Sequence, residues 1–143
     1  MIKRNLLILF LFVFPSIILA NNVLFNRLNR LYEKDASKCL ELSKRYTEIF
    51  PNQAAPYYFA SISYRDRAAV SKTTRGRYLN LNRCVGYAVK LEEVNNQEIL
   101  DLINWNNYKK NIEIQVLKLI KELQLGDEVE KSKSLINKIS HLD

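Results

Sequence analysis

Ala55-Pro56-Tyr57-Tyr58-Phe59-Ala60-Ser61-Ile62-Ser63-Tyr64 is the stretch on which the fold turns. Proline suits the first turn of a helix, where its missing N–H leaves no bond unmade. Ala55-Pro56 therefore opens a helix, and that helix is rich in aromatics: Tyr57, Tyr58, Phe59 and Tyr64. Ala60 and Ser61 are small. A neighbouring helix can approach closely there while the aromatic rings fill the gaps.

The flanking segments read as helices too. Val23, Leu24, Leu28, Leu31 and Tyr32 recur at helical spacing and predict a helix from Val23 to Glu33. Asp35 can cap the next helix, with Leu40, Tyr46 and Ile49 turned inward and Phe50-Pro51-Asn52 stopping it. After the aromatic helix, Ser71-Lys72-Thr73-Thr74 reads as a connection with a capping threonine. A fourth helix then runs to Val94, with Tyr78, Leu81, Val85, Ala88 and Leu91 on one face. Asn95 and Asn96 end it, and a short helical segment covers Gln97 to Ile103. An Asn-rich turn is expected over Asn104 to Asn107. Ile112, Val116, Leu119, Ile120 and Leu123 mark a long helix broken by Gly126-Asp127. Asp127 and Glu130 have capping-box spacing for a last helix with Val129, Leu135, Ile136 and Ile139.

Breakers are scarce. Beyond residue 20 there are two prolines, at 51 and 56, and three glycines, at 76, 86 and 126. That scarcity argues for helices over a turn-rich β fold. No stretch alternates as a strand, and no linker is long enough to split the chain.

Residues 1–20 have the layout of a secretory signal peptide: Lys3 and Arg4, an apolar run from Leu6 to Leu19, then Ala20 before Asn21 and Asn22. The uncharged stretch from Asn5 to Ala20 is 16 residues and is interrupted by Pro15 and Ser16. A spanning helix needs about 20 apolar residues. The expectation is a signal peptide over 1–20 and a single helical domain over 21–143, exported to the periplasm or secreted. The alternative is anchoring by an uncleaved leader. Residues 21–143 carry 20 Lys and Arg against 15 Asp and Glu, a net charge of +5. This permits anionic partners without requiring them. Cys39 and Cys84 form an even pair, which in an oxidising compartment admits a disulfide; the other reading is two buried thiols.

An internal echo runs at an offset of 45. It sets Cys39 over Cys84, Leu40 over Val85, Arg45 over Lys90, Tyr46 over Leu91, Glu48 over Glu93 and Ile49 over Val94. It points to an array of α-hairpins.

Tyr57-x-x-Ala60-Ser61-x-x-Tyr64 resembles the first helix of a tetratricopeptide repeat. Pro51 stands six residues before Tyr57, as the repeat-joining proline does in that family. Cys39 takes the small-residue position of the preceding second helix, and Leu125-Gly126-Asp127 resembles the turn within a repeat. Ser43 departs from the pattern, standing where the family has a bulky aromatic. The resemblance is best over residues 35–64. It implies an all-α fold of antiparallel helical hairpins, stacked as a short array after the leader. It also implies peptide or protein binding in a concave groove.

The chain offers no catalytic constellation. Its single histidine, His141, stands three residues from the end. There is no HExxH, no paired CxxC and no glycine-rich phosphate loop. Glu92 and Glu93 are adjacent and diverge by about 100° on a helix, so they read as a solvated face. Trp105 reads as a ligand platform or as a lid on the core. No catalytic residue, metal ligand set or cofactor is expected.

The charge anomaly is residues 65–83. Arg65, Arg67, Lys72, Arg75, Arg77 and Arg83 face one acid, Asp66, for a local net charge of +5. Arginine is the better bidentate partner for carboxylate and phosphate. Tyr64 and Tyr78 flank the cluster. These eight residues are the candidate ligand site, an anion-binding surface at the connection between the third and fourth helices; the alternative is a solvated loop. The expectation is an exported, non-catalytic protein-interaction module, with binding of an anionic cell-envelope component as the alternative. Its partner would be an unidentified protein or peptide. Nucleic acid is not expected, nor a stable membrane span after cleavage.

Overall fold

The aromatic helix sits at the centre of the molecule. The computed structural model describes the backbone of residues 21–122 and 127–140. Seven helical segments follow one another among them, with no strand. They are α1 (21–34), α2 (Ala36–Ile49), α3 (Ala54–Val70), α4 (Thr74–Val94), α5 (Gln97–Leu102), α6 (Trp105–Glu122) and α7 (Asp127–Ser140). The expected signal peptide, the position of Leu123, the Gly126 break and His141 lie outside the described residues.

From Ala54 to Tyr64, every residue of α3 except Tyr58 is buried. Helices apolar on all sides occupy the interior, and the neighbours close around this one. Both α4 and α2 pack along it, α4 more extensively than α2. From α1, Phe25 packs on Tyr58 and Phe59, and Tyr32 packs on Phe59. From α6, Tyr108 meets Tyr58 edge-on at 5.6 Å. Phe59 is fully buried, and burial of such a side chain contributes about 1.5–3 kcal/mol. At the far end, α6 and α7 pack on each other and both reach α4.

The caps follow the sequence. Asp35 Oδ1 accepts from the Lys38 N–H at 3.0 Å to start α2. Pro56 lies in the first turn of α3, where no intrahelical bond needs its nitrogen. The Tyr57 hydroxyl donates to the Pro51 carbonyl at 2.9 Å and ties that turn to the helix. Thr73 Oγ1 accepts from the Gly76 N–H at 3.0 Å and starts α4, so the connection from α3 is the short run 71–73. Asn95 ends α4 in the left-handed region, at φ 51° and ψ 49°. Asparagine tolerates that conformation better than most residues.

Two expectations fail. The Asn-rich turn over Asn104 to Asn107 does not exist as such, because α6 already begins at Trp105. Asn104 takes φ 52° and its side chain accepts from the Asn107 N–H at 3.4 Å. It caps the helix, and Asn106 and Asn107 belong to the first turn. Ile49, expected inward, is 58% exposed. Ten positions beyond Cys39, it lies about 80° off the stripe of Cys39, Leu40 and Ser43 at 100° per residue. The echo is reflected in burial: Cys39, Leu40 and Ser43 of α2 are buried, as are Cys84, Val85 and Ala88 of α4 at the same offset. Ile49 and Val94 break it, since Val94 is partly buried.

No helix of the described residues is long and apolar enough to cross a membrane.

Candidate functional site

The six bases of residues 65–83 do not form one surface. Arg65 and Asp66, near the C-terminal end of α3, are tied to each other. Arg65 donates from Nε and Nη2 to Asp66 Oδ1 at 3.0 and 2.9 Å. The Arg65 guanidinium lies over the Tyr108 ring, 5.4 Å from its centre. The other Asp66 oxygen accepts from the Tyr32 hydroxyl and so joins α1 to α3. Burial and the Asp66 carboxylate push the Tyr32 phenol up to about 12, so it stays protonated as the donor of that bond at neutral pH. Arg65 thus serves an internal joint.

Arg67 reaches the Ser37 hydroxyl at 3.5 Å. Arg83 lies over the Tyr64 ring at 5.5 Å, and Tyr64 in turn stacks on Tyr87 at 5.9 Å. Tyr78 is half-buried and packs against the core. Lys72 and Arg75 are exposed, and their side chains make no hydrogen bond or ion pair with a described residue.

Arg77 is the member that lines a groove. It pairs with Glu122 of α6 at 2.5 Å and donates to the Ser71 carbonyl at 3.2 Å, while its buried Nε has no hydrogen-bond partner. The groove runs between α3, α4 and α6. Ala68, Ala69 and Leu81 line it, with Ile114, Lys118 and Leu119 from α6. Ile114 is 46% exposed there. The groove therefore presents apolar surface beside the Arg77–Glu122 ion pair and Lys118, features suited to a peptide with an apolar side chain flanked by polar groups.

The cysteines sit at separate helix contacts, each a buried free thiol. Cys39 Sγ donates to the Leu28 carbonyl at 3.4 Å. Cys84 Sγ lies 3.4 Å from the Ser61 hydroxyl and 3.6 Å from that of Tyr108. Ser61 donates to the Cys84 carbonyl at 2.9 Å and lies 2.6 Å from the Tyr108 hydroxyl, binding α3, α4 and α6 together. Burial pushes both thiols above the ordinary value. Thiolate, the nucleophilic form, is thereby suppressed.

Trp105 closes the core at the start of α6. It is 8% exposed, and its indole N–H donates to Glu92 at 2.6 Å. Glu93 turns the other way and pairs with Lys90 at 2.7 Å, the divergence expected of adjacent helix positions. No group of three or more His, Cys, Asp or Glu among the described residues could hold a metal ion.

Sequence reasoning missed Glu122 as the partner of Arg77 and Tyr32 as the partner of Asp66. Both pairs are long-range, and no local pattern announces them. It also missed a basic stripe on α1, Arg27, Arg30 and Lys34, although a helical count along that segment exposes it. Neither a family model nor a curated protein nor a solved structure matches this chain.

Proposed function

We propose that the protein is an exported, tetratricopeptide-like interaction module without catalytic activity, binding a protein or peptide in the groove between α3, α4 and α6. The observation that carries this reading is the half-exposed Ile114 beside Arg77 and Lys118 in an open groove between packed helices. Hairpin stacking is consistent with the small residues at the helix contacts: Cys39, Ala60, Ser61, Cys84 and Ala88 are all fully buried. Small side chains let backbones approach. Export rests on the charged, apolar and small-residue order of residues 1–20.

A second reading is an anionic envelope component bound at the Arg-rich connection. It is favoured by Lys72 and Arg75, which no described acid neutralises. Salt separates the two. Contacts between exposed charges are largely screened beyond about 10 Å at 0.1 M salt, whereas apolar contact is not. Affinity capture from the envelope fraction, repeated at low and high salt, tests the proposal. A protein retained at high salt supports the groove; a ligand released by salt supports the arginines.

A further inference from the structure

The outer face of α1 carries Val23, Arg27, Arg30 and Lys34 along one line of the helix. With Leu31 and with Leu42 of α2, these residues line an open groove between the two helices. Its charged lining residues are all basic, and they span about 10.5 Å from Arg27 to Lys34 at 1.5 Å per residue. Its apolar component includes Val23, which is 62% exposed.

Two acids of this region, Glu33 and Asp35, have partners of their own, while Glu41 beside Leu42 is exposed and does not line the groove. Glu33 accepts from the Asn29 side chain at 3.2 Å. Asp35 caps α2 and pairs with Lys38 at 3.5 Å. Arg27, Arg30 and Lys34 make no ion pair with a described residue, whereas Arg65, Arg77, Lys90 and Lys133 each have a carboxylate. Three neighbouring cations on one helix repel one another, and an anionic occupant would relieve that repulsion.

We propose that this groove docks an acidic amphipathic helix of a partner, its carboxylates on the Arg27–Arg30–Lys34 line and its apolar residues against Val23, Leu31 and Leu42. Charge complementarity selects this occupant. A second copy of the same face would set like charges against like in a two-fold contact. A membrane presents a broad surface to which a groove between two helices is poorly matched, whereas a helix laid into a groove presents a matching apolar face. The proposal depends neither on export nor on the arginines of residues 65–83.

The test is fluorescence anisotropy on the full chain. The probe is a labelled synthetic helical peptide with Glu at i, i+3 and i+7 and Leu at the positions between that face the same side. The same peptide with Gln for Glu and phosphatidylglycerol vesicles are the comparison probes. The Glu peptide should bind at least about tenfold more tightly than the Gln peptide. Arg27→Glu with Arg30→Glu, both exposed positions, should weaken it by a similar factor. Lys72→Glu with Arg75→Glu should leave it unchanged. Equal affinity for the two peptides overturns the proposal, an outcome that needs no variant to fold. So does indifference to the Arg27 and Arg30 changes, equal loss from the control pair, or binding to vesicles alone.

Discussion

Ala60 has no exposed surface, in a helix that packs on both α2 and α4. Ala60→Arg forces excess volume and an unpaired charge into that contact, and should cost about 3 kcal/mol or more. Thermal melts of the two proteins check this; an unchanged midpoint would place Ala60 at the surface. Tyr32 offers a test in pH. Its phenol is raised to about 12 by burial and by Asp66, against about 10 in the unfolded chain. Between those values the folded state keeps a proton that the unfolded chain has lost. The stability from this contact is therefore complete below about pH 10 and lost as pH rises toward about 12. Tyr58, Tyr87 and Tyr108 are also raised by burial, so Tyr32→Phe should remove only part of the alkaline slope. Denaturant curves at about pH 9 and about pH 11 would show it. Identical pH dependence in both proteins would mean the Tyr32–Asp66 bond does not form.

The start of α4 rests on one side chain. Thr73→Ala removes the acceptor of the Gly76 N–H and should cost about 1 kcal/mol. Gly76 sits in the first turn, and a Cβ there would lie 2.9 Å from Thr73 Oγ1. Gly76→Ala should therefore bring no gain in the wild-type background. With Thr73→Ala already in place, it should stabilise by up to about 1 kcal/mol through helix propensity. Additive effects in this double-mutant cycle would show that the two residues do not meet. These caps were legible before any coordinates, because a cap is a local event among three or four residues. Asp35 announced itself for that reason, as did a capping threonine in 71–74, although Thr73 was not distinguishable there from Thr74, which the helix takes up. Asn104 did not, since three asparagines around Trp105 can equally be a turn or a capped first turn of helix. Ile49 misled because the inward stripe of α2 is narrow and its last turn departs from it.

At the scale of the whole molecule, the all-helical class was legible in the spacing of apolar residues and the scarcity of breakers. Which helices meet was not. The central place of α3 follows from its uninterrupted burial over 59–64, yet its places against α1 and α6 rest on the Tyr32–Asp66 and Tyr58–Tyr108 contacts, each spanning 34 residues or more. The candidate site was legible as a concentration of charge and illegible as a geometry. Arg65 turned to Asp66 and Tyr108, Arg83 to Tyr64 and Arg77 to Glu122, because a guanidinium group takes whatever acid or ring the packing sets beside it. Counting bases along the chain cannot reveal those partners.

The central claim is that the groove between α3, α4 and α6 holds a partner protein. Affinity capture from the envelope fraction at high salt tests it with two variants. Ile114→Glu places a charge on exposed apolar groove surface without disturbing the core, whereas Lys72→Glu with Arg75→Glu reverses the unpaired cations outside it. A partner held by the wild type and by the Lys72 and Arg75 variant, and lost with Ile114→Glu, is the result expected. A partner that stays with Ile114→Glu and leaves with the other variant would contradict the claim.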